Sequence, residues 1–390
     1  MFTQRANCNI VRTDDEGMRL MGDSGADAAT FAHHNLCTDN YTGDPMKRLT
    51  MLASLMLATF ASPSQALNIL VTNDDGTESS TVHALQQRLS AAGHNVIISS
   101  EVCDNSGQGG ALGFLRPIGP LTATNCGAAP SRGGALAAGA PGVGTLPGMP
   151  FAYYVNSTPV AATLYGIDIA SKKAWGKAPD LVVSGPNYGN NTGMINNGSG
   201  TVNAALIAIN RGVPAIAVSA EQPTDYRPYS RLADGDPEYE IADVVVRLVG
   251  ELEKRKSVGD GLLPQGVGLN VNLPKFAKGG AAALKFKYAK LGLATIALPY
   301  FIEDLSKDAL AQSYLARAFP TGVPPLPGVT LLVNPAPAPA GLAYVPDNDP
   351  ESEQNVVNAG AIAVAVMQGT HQATRAQEAA IRAKLANFIK

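Results

Sequence analysis

Asn68-Ile-Leu-Val-Thr-Asn-Asp-Asp-Gly76 is a short apolar run that stops on two adjacent aspartates and a glycine. A run of this length ending in a polar turn reads as a buried β-strand. Thr77 to Ala92 follows as a helix, because Val82, Leu85 and Leu89 share one face and Gly93 is a suitable stop. Asn95-Val-Ile-Ile-Ser99 is the next strand, completing a βαβ unit whose strands should be parallel. Further on, Asp180-Leu-Val-Val-Ser184 ends on the turn Gly185-Pro-Asn-Tyr-Gly189. Thr201 to Asn210 is an apolar helix and Pro214 to Ser219 another buried strand.

The pattern beyond residue 220 continues this alternation less regularly. Asp236 or Pro237 opens an amphipathic helix with Ile241, Val244, Val245, Leu248, Val249 and Leu252 at the helical period. Val267 to Leu273 is a strand, Leu284 to Ala297 suggests a hairpin, and residues 320–340 are a Pro-rich loop. Val356 to Val366 is apolar, and Ala376 to Ile389 predicts a terminal helix. Between the second and later strands, Arg116 to Pro150 is rich in Gly, Ala and Pro without a helical period, and reads as a long loop. Phe151 to Asn156 is a candidate strand, and Thr158 to Ala170 a helix with Pro159 at its start. The predicted fold is α/β, a Rossmann-like three-layer sandwich with a mostly parallel sheet. Its core spans 68–219, and a C-terminal extension with a hairpin and terminal helix spans 265–390.

Composition narrows the function. The 390 residues are 45% hydrophobic and 16% charged, with a net charge of −3. That is globular, and it carries no basic footprint for a nucleic-acid duplex. Met46-Lys-Arg48, the apolar run Leu49 to Phe60, and small residues Ser64 and Ala66 have the three parts of a secretory signal over 46–66. Residues 1–45, which precede it, are expected to be disordered or to lie ahead of the true start at Met46. The signal predicts an exported protein, periplasmic or secreted, with no stable membrane insertion once it is removed. The remaining domain, 67–390, holds two cysteines, Cys103 and Cys126, which are candidates for one disulfide.

The chemistry-bearing residues follow strand ends, where open α/β sheets place their ligands. Asp74 and Asp75 are neighbouring carboxylates that repel each other when buried, and a hard divalent cation relieves the conflict. The hydroxyl of Ser106 and the amide oxygen of Asn187 are suitable neutral ligands for Mg²⁺ or Mn²⁺. Ser199-Gly200-Thr201, at a helix start, offers backbone N–H groups and hydroxyls in the arrangement that binds phosphate. Taken alone, an Asp-Asp-Gly turn reads more readily as a helix cap, with Asp75 capping the helix that follows.

Together these motifs resemble the SurE family of 5′/3′-nucleotidases. The resemblance lies in Ile69 to Gly76, in Asn105-Ser106-Gly107 where the family has an Arg-Ser-Gly turn, in Ser184 to Gly193, and in Ser199 to Val202. Gly212 to Ser219 also fits. Pro186 stands in place of the usual Ile, and Ala161-Ala162 in place of an Asp-Cys pair. The resemblance implies a metal-dependent phosphomonoester hydrolase acting on nucleoside 5′/3′-monophosphates, or a broad acid phosphatase. Asp74, Asp75, Ser106 and Asn187 would hold the metal. Asp74 and Asp75 would serve catalysis, and Asn191, Ser199, Gly200 and Thr201 would contact phosphate. It also implies a homodimer or homotetramer. A different class, an exported α/β protein that binds phosphate without turnover, would keep the phosphate cradle. A dinucleotide-binding oxidoreductase lacks its glycine fingerprint after the first strand. Glu101, His83, His94 and His371 read as ordinary surface residues.

Overall fold

The computed structural model describes residues 66–223, 225–255, 261–316, 318–333 and 342–370. The expectations for residues 1–45, for the signal up to residue 65 and for the helix at Ala376 to Ile389 lie outside the described residues.

In chain order the strands and helices begin with β1 (Asn68–Thr72), α1 (Ser80–Ala91), β2 (Asn95–Glu101), β3 (Val143–Leu146) and β4 (Met149–Val155). A continuous helical stretch follows, composed of α2 (Pro159–Tyr165), a π-helical turn over Gly166–Ala170 and α3 (Ser171–Trp175). Then come β5 (Leu181–Tyr188), α4 (Ile195–Gly198), α5 (Gly200–Asn210), β6 (Ala215–Ala220), α6 (Pro237–Lys254) and β7 (Val267–Leu273). The remainder is β8 (Phe286–Ala289), β9 (Ala297–Ile302), α7 (Ala309–Leu315), β10 (Gly328–Val333), α8 (Glu353–Asn358) and β11 (Ile362–Gln368).

Among the described residues nine strands form one sheet in the order β3-β4-β2-β1-β5-β6-β7-β11-β8. The centre is parallel, with Ile69 paired to Val96 on one side and to Leu181 on the other. The β3–β4 and β7–β11 pairs are antiparallel. All five residues of β1 are buried, because both faces of the sheet are covered. Ile69 and Val71 pack in one core with Val82, Leu85 and Leu89 of α1 and Ile241, Val245 and Val249 of α6. Leu70 points the other way, to Val202, Ala205 and Ile209 of α5. This is the three-layer arrangement expected from the strand and helix periods. Each buried Leu, Ile or Val contributes about 1.5–3 kcal/mol of hydrophobic stabilisation.

Four features differ from expectation. The first helix begins at Ser80 rather than Thr77, because the Thr77 N–H and hydroxyl donate to the Glu101 carbonyl at 2.7 Å each, holding that segment in a turn. The Gly-, Ala- and Pro-rich segment is not loop throughout, since β3 lies within it and adds an edge to the sheet. Leu284 to Ala297 does not form a hairpin. Phe286–Ala289 joins the main sheet beside β11, and the hairpin is β9 with β10. Its second strand, Gly328–Val333, therefore lies in the stretch expected as Pro-rich loop. Apolar alternation in Val329, Leu331 and Val333 competes successfully there with the flanking prolines.

β1 is the place where strand order turns. Its successor β2 lies to one side, while β5, β6 and β7 extend to the other. Such a switch point opens a crevice at the carboxyl ends of the strands. The turns after β1, β2 and β5 all lie along this edge.

Candidate metal and phosphate site

The Asp-Asp-Gly turn is locked from below by the end of β2. Gly76, at φ 95°, takes a left-handed conformation that a side chain would strain. Its N–H donates to Glu101 Oε1 at 2.6 Å. Ser100 Oγ donates to Asn73 Oδ1 and to Glu101 Oε2. Glu101 is thus no surface charge. It is fully buried, and burial first, then the charge of Asp74, pushes its carboxyl well above the usual range. His83 is not a surface residue either. It is 2% exposed, its Nε2 meets the Thr77 carbonyl at 3.0 Å, and it stacks on Tyr229. Both differences have one cause: a polar residue buried under a polar turn looks in sequence like one in water. The turn does not cap a helix through Asp75, since Ser79 occupies the N-cap position of α1.

Three loops meet on these aspartates. The Thr201 hydroxyl donates to Asp74 Oδ1 across 127 residues of chain. The Tyr188 N–H reaches Asp75 Oδ2 at 3.4 Å, which places Asn187 one residue from that carboxylate. The Asn105 N–H donates to the Asp74 carbonyl at 2.9 Å, which places Ser106 one residue from that contact. Gly200 presses directly on Asp74: a β-carbon there would lie 2.6 Å from Asp74 Cβ and 2.9 Å from Oδ2.

Asp74 and Asp75 are 3% and 2% exposed. Burial raises the Asp74 pKa to about 6, against the hydrogen bonds from Thr201, which lower it. Burial, and next the charge of Asp74, push Asp75 well above the ordinary carboxylate range. Two carboxylates desolvated side by side are the chemistry a hard cation neutralises, and the Ser106 hydroxyl and Asn187 amide oxygen, on the neighbouring loops, are donor types such a cation accepts. The residues present therefore fit a divalent metal.

One cation already touches Asp75, and it comes from the segment that carries no motif. Arg132 donates through Nη1 to the Asp75 carbonyl, with Asp75 Oδ1 at 3.3 Å, and its Nη2 lies 2.6 Å from Asp104 Oδ2. Its guanidinium lies 4.0 Å over the Tyr226 ring. Cys103 and Cys126 form a disulfide that ties this segment to the end of β2.

The phosphate candidates divide. Ser199 caps α5 by accepting from the Val202 N–H at 3.0 Å, and Thr201 serves Asp74 through both hydroxyl and backbone. Gly200 lies between them at the helix tip, against Asp74. Asn191 is buried in a polar lattice: its N–H donates to Asn272 Oδ1 at 2.9 Å and its Nδ2 to Ser219 Oγ at 2.8 Å. Next to it, Asn190 is 4% exposed with neither side-chain polar atom hydrogen-bonded among the described residues. A buried amide left so is expected to meet water or ligand.

The family model described as "Survival protein SurE" matches residues 69–297. The chain belongs to the SurE family. Two curated relatives are an acid phosphatase of Yarrowia lipolytica, 33% identical over 219 residues (56% of this chain, 59% of that protein), and a 5′-nucleotidase SurE of Desulfatibacillum aliphaticivorans, 34% identical over 208 residues (53% and 66%). The chain thus matches 59% and 66% of the length of these two relatives. The crystal structure of a SurE protein from Aquifex aeolicus shares the fold, with TM-score 0.51 at 21% identity, over 81% of this chain and 99% of that one. The SurE match runs through every loop of the crevice and includes the segment bearing Arg132.

Proposed function

We propose that this SurE-family chain is a divalent-metal-dependent phosphomonoester hydrolase, acting on nucleoside 5′/3′-monophosphates or as a broad acid phosphatase. The observation that carries the reading is the contact of the Ser199-Gly200-Thr201 helix tip with Asp74, which sets a helix N-terminus suited to an anion against one of the two buried carboxylates. The relatives named acid phosphatase and 5′-nucleotidase support the reaction class.

Asp74 and Asp75, with the Ser106 hydroxyl and the Asn187 amide oxygen, would hold Mg²⁺ or Mn²⁺. Bound there, the metal supplies Lewis-acid polarisation of a phosphoryl oxygen and a more acidic water. The protein's own groups do the rest. Thr201 fixes the Asp74 carboxylate, so one oxygen keeps its direction. The α5 N-terminus lends partial positive charge to a phosphoryl group placed beside it. Export fits the Cys103–Cys126 disulfide, a bond of oxidising compartments. Exposed Phe301, Val329 and Leu331 on the β9–β10 hairpin support a homo-oligomer through this arm.

The test is a panel of phosphate esters assayed with Mn²⁺, with Mg²⁺ and with chelator. Release of phosphate that chelation abolishes and the metal restores is expected. Full turnover in chelator would refute metal dependence, and no turnover on any ester would refute the reaction class.

A further inference from the structure

The 116–150 segment has no counterpart in the chemistry assigned above, yet it is fastened at several points. The disulfide joins Cys126 to Cys103. Leu121 and Leu136 are buried in the main core. Glu78, 2% exposed just past the Asp-Asp-Gly turn, accepts the Ala135 N–H at 2.8 Å. Gly133 is packed so closely on that carboxylate that a β-carbon would lie 2.5 Å from Glu78 Oε2. Between these fixings stands Arg132, with a side chain 15% exposed, bridging Asp75 and Asp104 while lying on Tyr226. The turn after β2, Asp104-Asn-Ser-Gly-Gln-Gly-Gly110, contains no basic residue of its own.

We propose that Arg132 is a positioning residue of the hydrolase site, and that the segment exists to deliver it. The inference rests on the function proposed above. A planar guanidinium offers donors in a fixed fork, so anchoring Nη2 on Asp104 sets the direction in which Nη1 meets Asp75. The stacked Tyr226 ring removes the remaining freedom of the plane. Asp75 is then approached from two sides, by Arg132 at Oδ1 and by the Tyr188 N–H at Oδ2, which favours one orientation of its carboxylate. Groups that orient a metal-ligating carboxylate typically change metal affinity or rate by about 10- to 100-fold when removed. Lysine keeps the charge but cannot bridge two acceptors with this geometry.

The experiment compares wild type, Arg132→Ala, Arg132→Lys and Cys126→Ser, reading Mn²⁺ affinity by calorimetry together with kcat and KM. Arg132→Ala is expected to weaken Mn²⁺ binding by about 10- to 100-fold and to lower kcat at saturating Mn²⁺, with little change in KM. Arg132→Lys should recover little of either. Cys126→Ser, which loosens the segment without touching the crevice, should move both readouts the same way by a smaller factor. Unchanged Mn²⁺ affinity and kcat in folded Arg132→Ala overturn the inference, as does full recovery by lysine, which would make charge alone sufficient. A rise in KM alone would overturn it too, by showing an arginine that binds substrate. If wild type binds Mn²⁺ but hydrolyses no ester, the functional proposal fails while the affinity comparison still decides the role of Arg132. A wild type that binds no Mn²⁺ overturns both.

Discussion

Gly200 and Asp74, 126 positions apart in the chain, are in van der Waals contact with no room for a β-carbon between them. The first turn of α5 is therefore seated on the first metal-ligand candidate. In Gly200→Ala the new methyl would lie 2.6 Å from Asp74 Cβ and 3.0 Å from Pro159 Cγ. Alanine improves helix propensity by about 1 kcal/mol, but overpacking costs about 1–3 kcal/mol. The variant should be folded, slightly less stable, and reduced in phosphatase rate by about 10²-fold, the usual scale for a displacement of about 1 Å at a reacting centre. Wild-type kcat in this variant would show that the contact has no functional consequence.

Thr201→Val removes a hydroxyl donor from a buried carboxylate at nearly constant volume. A hydrogen bond to a charged group contributes about 1.5–3 kcal/mol, so metal affinity at neutral pH should weaken by about 10- to 100-fold. The direction follows from Asp74, whose pKa the Thr201 bonds hold down. Thr201→Ser should restore the affinity. Failure of serine to do so would assign the loss to packing.

Metal removal should destabilise the protein, since it leaves two buried carboxylates side by side with a guanidinium on Asp75 alone. Mn²⁺ at about 100 times its Kd should add about 2.7 kcal/mol of stability. With the Asp74 pKa raised to about 6, protons compete with the cation below that pH. The Mn²⁺-induced rise in Tm should therefore be larger at pH 7.5 than at pH 5. An equal rise at both would contradict the placement of the metal on this pair.

His83 predicts an acid-sensitive fold. Burial lowers its pKa to about 4 from 6.5. The unfolded chain binds a proton near pH 6.5, whereas the folded one does so only near pH 4. Stability is thus fully present above 6.5 and falls by about 3 kcal/mol on going down to 4. Urea midpoints at pH 7, 5.5 and 4 should fall less steeply in His83→Gln than in wild type. Parallel slopes would assign acid lability to other groups.

The part of the site readable in sequence is the part that lies at strand ends. Two-sided burial writes β1 as a continuous apolar run, so Asp74 and Asp75 stand out at its end. The same holds for Asn187 near the end of β5 and for Thr201 at the start of α5. Arg132 was not readable, because nothing periodic surrounds it and its position depends on long-range fixings: Cys126 on Cys103 and Ala135 on Glu78. Glu101 and His83 were misread because burial of a polar side chain is set by what folds over it. The Ser199 hydroxyl accepts the cap of α5 and the Thr201 hydroxyl donates to Asp74, engagements that depend on the folded contacts rather than on the motif.

The most direct measurement is anomalous diffraction from crystals holding Mn²⁺ and inorganic phosphate. A manganese peak is expected bound to oxygens of both Asp74 and Asp75, at about the 2.0–2.2 Å of hard-cation coordination, with phosphate between it and the Ser199–Thr201 helix tip. A peak elsewhere, or phosphate bound away from that tip, would contradict the site.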